Sequence, residues 1–158
     1  MYRTVEDFLE DWQVSSAGTL NVIKAITNEK IDFAIVDDHN SLGWLAWHLV
    51  GAGGAFGHFA GLQIPAPGSD MAMPTDMTEI VEAYEMVIAA YNKEASTLTD
   101  EMLLEEVAGF GGPTSRGKLL RAFIDHQTHH RGQMTVLLRQ AGLTVPPIMG
   151  PTKEMQNK

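Results

Sequence analysis

The stretch Leu119-Leu120-Arg121-Ala122-Phe123-Ile124-Asp125-His126-Gln127-Thr128-His129-His130-Arg131-Gly132-Gln133-Met134-Thr135-Val136-Leu137 decides the fold class. Leu119, Phe123, Met134 and Leu137 recur at helical rather than strand spacing, and the stripe they draw passes through positions 126 and 130. The pattern predicts one long helix, with Ser115 as its cap and its end before Gly142. His126 and His130 then point inward. They stand one turn apart and about 40° around the axis, so both imidazoles can reach one ion. His129 lies about 100° around from His130, on the face of Ala122, Asp125 and Val136, and is expected at the surface or behind the ligands.

Working toward the N-terminus, Gly109-Phe110-Gly111-Gly112-Pro113 interrupts regular structure. Before it, Ile80, Tyr84, Ile88, Tyr91, Ala95 and Leu98 mark a third helix from Thr78 to about Leu98. Residues 63–77 hold three prolines and Gly68. At roughly 3.3 Å per extended residue this connection can run back along a whole helix, which permits helices 2 and 3 to be parallel. Side-chain oxygens in Asp37-Asp38-His39-Asn40-Ser41 can cap a second helix starting near Ser41. That helix is apolar on nearly every side (Leu42, Trp44, Leu45, Trp47, Leu49, Val50, Phe56), as expected of one surrounded by protein. Gly51, Gly53, Gly54 and Gly57 each lower its propensity by up to about 1 kcal/mol relative to alanine. Close approach of another helix is the expected compensation, a frayed or bent helix end the alternative. Phe8, Leu9, Trp12, Leu20, Ile23 and Ile26 place the first helix at about residues 4–27. Ala34-Ile35-Val36 and Glu106-Val107-Ala108 are too short to build a sheet, so the class is all-α.

A chain of 158 residues that is 44% hydrophobic can bury a core without disulfides. One domain is expected over residues 1–150, with a short tail at 151–158. There is no cysteine, which excludes disulfides, thiolate metal sites and a cysteine nucleophile. Together with an N-terminus that lacks an apolar export segment, this points to the cytoplasm. The most hydrophobic stretch, Leu42 to Gly57, is too short to cross a bilayer. A net charge of −9 repels phosphate backbones and anionic lipid, so neither nucleic acid nor membrane is an expected partner.

A histidine pair at i, i+4 is also what core hydrogen bonding or chance exposure produces, so a third ligand is needed. His48 is the natural candidate, the strongly polar residue in the apolar first half of helix 2, with Trp47 and Trp44 before it. His58 lies about 15 Å further along the axis, outside the same layer. His39 belongs to the cap region. Three imidazoles suit one divalent transition metal ion, with zinc and nickel first, and leave a position open for chemistry. Asp125 or another carboxylate could instead close the shell. Trp44, Trp47, Phe123 and Met134 are candidates either for an adjoining apolar pocket or for plain core packing.

The segment Leu45-Ala46-Trp47-His48-Leu49, with His126-Gln127-Thr128-His129-His130-Arg131-Gly132-Gln133 and the tail Leu137-Leu138-Arg139, Gly142, Val145-Pro146-Pro147, resembles the DinB family. The resemblance covers nearly the whole chain. It implies an up-down-down-up four-helix bundle in which a crossover joins parallel helices 2 and 3, with a metal site at His48, His126 and His130. Met149 stands where relatives often carry a tyrosine, an expected change at the mouth of the site. The family is named for induction after DNA damage, hence a stress response. Some relatives use the metal to activate a low-molecular-weight thiol, and relatives are often dimers. The expected function is therefore that of a metal-dependent transferase or hydrolase, a homodimer, that activates a thiol or water against a small molecule. The alternative is a non-catalytic metal-binding or structural bundle.

Overall fold

The computed structural model describes residues 1–68 and 71–156. Four long helices dominate: α1 (Val5–Lys24), α2 (Leu42–Phe59), α3 (Met77–Ala95) and α4 (Arg116–Gln140). Each start has a local cause. The Asp7 amide donates to Thr4 Oγ1 at 3.2 Å, the Trp44 amide to Ser41 Oγ at 3.1 Å, and the Thr78 amide to Asp76 Oδ1 at 2.9 Å. Ser115 occupies the cap position of α4, but its side chain makes no capping bond. Instead the Arg116 amide donates to Glu105 O at 2.9 Å, beside a two-residue antiparallel pairing of β1 (Glu106–Val107) with β2 (Thr114–Ser115). The segment read as too short for a sheet thus forms this single small ladder.

Two helices end earlier than periodicity predicts. α1 stops at Lys24 because Asn28 has to leave the helical path and reach α3, where its Oδ1 accepts from the Met77 amide at 2.8 Å and its Nδ2 donates to Asp76 at 3.3 Å. α3 stops at Ala95, where the Ser96 and Thr97 hydroxyls donate back to the carbonyls of Lys93 and Glu94. Ile26 is still buried, in the turn that follows α1.

Contacts between helices give the topology. Tyr2 pairs with Gly117, Trp12 lies 5.1 Å from Phe123, and Arg131 bonds Ser15 and Thr19, so α1 and α4 rise together. Phe56 packs on Phe123 and Arg116 bonds Ala60 O, so α2 runs against α4. The connection after α2 lies back along it: Ile64 sits against Gly57, Ala66 against Gly54 and Met73 against Gly43. α3 then descends beside α2, with Val87 at Gly53 and the Tyr91 hydroxyl between Gly53 O and Gly57. Helices α2 and α3 are therefore parallel, in the expected up-down-down-up order.

The core centres on one residue from each helix. Trp12, Tyr91 and Phe123 stack with ring centroids 4.8–5.1 Å apart, and the Tyr91 hydroxyl donates to Gly53 O at 2.8 Å. The glycines divide into three cases. A Cβ on Gly53 would lie 2.6 Å from Val87 Cγ1, so here a helix does approach closely. At Gly54 and Gly57 the close neighbour is the extended connection, through Ala66 and Ile64, rather than a helix. Gly51 has nothing within 4 Å. The glycine-rich surface of α2 is thus largely covered by the chain itself.

Val87 is branched at Cβ and has little freedom to retreat. Gly53→Ala should therefore destabilise by about 1–3 kcal/mol, through overpacking, despite the better helix propensity of alanine. In a double-mutant cycle with Val87→Ala, denaturant unfolding should give a coupling above about 0.5 kcal/mol. Additive effects would refute the contact as the reason for the glycine.

Candidate metal centre and its cavity

His48, on the face of α2 turned toward α4, meets His126 and His130 on two successive turns of α4. His126 Nε2 lies 3.3 Å from His48 Nε2 and 3.2 Å from His130 Nε2. One ligand nitrogen from each lies within 4.8 Å of both others. Nitrogens bound to one tetrahedral ion at about 2.0–2.1 Å stand about 3.3–3.4 Å apart, so the two short separations fit a shared ion. The surroundings orient the rings. Trp44 stacks on His48 at 4.9 Å with planes 6° apart. His130 Nδ1 is 2.8 Å from Gln133 Oε1, a bond in which Nδ1–H donates and the lone pair is left on Nε2, facing the other histidines. The buried Nδ1 of His126 has no partner.

Burial is the first cause lowering the pKa of all three. His126 falls from 6.5 to about 4, with His130, His48 and His129 adding to the effect. His48 is lowered by burial and then by His130; in His130 the bond to Gln133 works against the shift. Neutral rings with available lone pairs are the form that binds a cation. Among the described residues the group contains no carboxylate: Asp125 is exposed and held by Arg121 at 2.7 Å.

His48 and His126 also line a cavity of about 1230 Å³ that extends along α2 from Trp44 to Phe59. The connection supplies Ile64 and Ala66 to its wall, and Phe110, from the loop between β1 and β2, packs on Phe56 and Phe59 at 4.7 and 4.8 Å. This explains why α2 is apolar all round: one side faces the bundle and another faces this cavity. Trp44 and Trp47 line it as one of the two expectations had them, whereas Phe123 and Met134 are fully buried in the core. His58 lines the cavity far from the cluster, His39 is exposed near Asp37, and His129 is exposed with its ring 4.9 Å from His130. Met149 is placed otherwise than expected. It borders a separate hollow of about 260 Å³ with Asp11, Ser15 and Arg131, because the tail packs over α1 and α4.

Sequence reasoning missed the most buried polar residues of α4. Gln127 is 0% exposed and accepts from the Tyr84 hydroxyl at 2.8 Å; Arg131 is 6% exposed and donates to Ser15 O, Ser15 Oγ and Thr19 Oγ1 at 2.8–3.2 Å. The available signal was position: both sit between apolar residues at helical spacing, with Leu120, Phe123, Met134 and Leu138.

No helix among the described residues is long and apolar enough to cross a membrane. A model of the DinB family matches residues 1–158. The uncharacterized protein YrdA of Bacillus subtilis (strain 168) is 39% identical over 155 residues, covering 98% of this chain and 93% of that protein. The crystal structure of a DinB-like protein from Bacillus cereus superposes with a TM-score of 0.88 at 38% identity, covering 94% of this chain and 99% of the other. A DinB-like protein from Bacillus subtilis, YjoA, shares the fold at a TM-score of 0.72 and 19% identity, over 92% of this chain and 99% of that one. With its full length matched and its bundle reproduced, the chain belongs to the DinB family.

Proposed function

We propose that His48, His126 and His130 hold one divalent metal ion, zinc or nickel, and that the protein is a metal-dependent enzyme acting on small molecules. The observation that carries this reading is the convergence of three neutral imidazoles at the edge of a large cavity, with no carboxylate in the group among the described residues. A bound divalent ion lowers the pKa of a coordinated thiol or water, giving a nucleophile near neutral pH.

The chain's own residues do the rest. Gln133 keeps the His130 proton on Nδ1, Trp44 fixes the plane of His48, and the cavity walls offer the reacting pair a largely apolar surface. In the transfer we favour, a low-molecular-weight thiol gives its proton to solvent, its sulfur bonds to an electrophilic carbon, and the leaving group departs with the bonding electrons. Incubating metal-loaded protein with a small thiol and an alkyl halide, while measuring thiol consumption, tests this. A rate no higher than without protein rejects it. A purely structural ion tying α2 to α4 is the second reading, favoured by the position of the cluster between those helices. A homodimer, with the 40% exposed Trp44 as the aromatic of α2 still open to a partner, is checked by light scattering.

Alanine at position 48, 126 or 130 should abolish stoichiometric metal after dialysis, whereas His129→Ala should keep most of it; equal loss from all four would overturn the assignment. Gln133→Ala should retain the metal but weaken it about 10–100-fold in a chelator competition.

Stability should follow both metal and pH. Chelation removes a ligand bound only by the folded state and should lower Tm. In the metal-free protein the folded-state histidine values lie below 6.5, so between those values and 6.5 the unfolded chain binds more protons. Stability from this group is complete above about pH 6.5 and falls as pH drops toward about 4. Denaturant midpoints measured across that range check it, and His126→Ala should flatten the slope.

A further inference from the structure

Gly51 has a use that packing does not supply. It lies in the middle of α2, where glycine is a poor helix former, yet a Cβ placed there meets nothing within 4 Å. Its fellow glycines 53, 54 and 57 all face close protein neighbours. Gly51 instead borders the cavity, three residues and about 4.5 Å along the axis from His48, on nearly the same helical face. Space kept free of protein beside a reactive group is space for something else.

The cavity limits what that is. It follows about 22 Å of α2, from Trp44 to Phe59, so it is elongated. No lysine, arginine, aspartate or glutamate stands among the described residues that line it, while Phe56, Phe59 and Phe110 close together around its far end. Placing a charged chain along such walls would leave the charge desolvated and unpaired. Met71 and Met73 add flexible apolar surface that can adapt to a chain of varied shape.

We propose that this cavity binds the elongated, uncharged, apolar part of the substrate, and that Gly51 sets the room available to it beside the histidines. The proposal rests on the metal-dependent reading above and names the class of its acceptor: an apolar molecule with its reactive end at His48 and His126 and its chain directed toward Phe59 and Phe110.

The test is binding, so it does not depend on turnover. N-phenylnaphthylamine, an uncharged fluorescent probe, is titrated into the metal-loaded protein and competed with butanol and octanol. The probe should bind, and octanol should displace it better than butanol. Gly51→Leu should weaken the probe about tenfold or more, with metal content unchanged. Gly51→Ala should fold with Tm equal to or above that of the unmodified chain, because nothing opposes the added methyl. Unaltered probe affinity in folded Gly51→Leu, or butanol displacing the probe as well as octanol, would overturn the proposal. So would failure of the probe to bind; if light scattering then shows a dimer, a second copy is the occupant. Absence of stoichiometric metal alongside Gly51-dependent probe binding would reject the metal reading and leave the apolar site standing.

Discussion

The approach of α3 to the backbone of α2 is the constraint on which the rest depends. Val87 fills the place a side chain at position 53 would take, and the Tyr91 hydroxyl reaches the Gly53 carbonyl at 2.8 Å. Tyr91 at the same time stacks on Phe123 and packs at a tilt on Trp12, so this bond fixes α2 against all three other helices. Fixing α2 at Gly53 sets the height and rotation of His48 five residues earlier. A rotation of one residue, about 100°, would carry the imidazole out of reach of α4. The histidine cluster is thus positioned by a packing contact that contains none of its members.

The four-helix class and the pairing of His126 with His130 were legible because both are local. Periodicity reports helices, and i, i+4 spacing reports a shared face. From the residues themselves the crossover was legible only as permission, and the resemblance implied it: residues 63–77 are long enough to run back along α2, but sequence does not show that Ile64, Ala66 and Met73 lie on it. His48 was reachable only by its polarity within an apolar helix and by resemblance, since no spacing rule links residues 78 positions apart in the chain. Gly51, Gly53, Gly54 and Gly57 look alike in sequence, yet Val87, a returning loop and an open cavity are three different reasons for them. Those reasons lie in tertiary neighbours.

The omission of Gln127 and Arg131 from the inward residues of α4 has a geometric origin. A helix packed between two others has two buried faces, and a single stripe drawn through Leu119, Phe123, His126, His130, Met134 and Leu137 merges them. One face, with Gln127 and Arg131, turns to α1 and α3; the other, with His126 and His130, turns to α2 and the cavity. Phe123 lies between them, touching both Trp12 and Phe56. Met134 follows the fully buried side and so is core rather than cavity lining.

The two faces differ in how a buried charge is met, although Gln127 Nε2 on the first also lacks a partner. The charge of Arg131 is out of water, a cost of several kcal/mol unless its protons are accepted. The carbonyl of Ser15 and the hydroxyls of Ser15 and Thr19 accept from it, joining α4 to α1. On the adjacent face the histidines are not satisfied in this way. Three imidazoles are stripped of enough water to hold them neutral, and one buried nitrogen, His126 Nδ1, has no partner. Nothing about holding the bundle together requires that expense, because apolar residues at 48, 126 and 130 would pack α2 on α4 without it. Apart from the bond from His130 to Gln133, this preorganised, neutral cluster faces a cavity wall with its Nε2 lone pairs turned on one another, an arrangement that a shared cation would relieve.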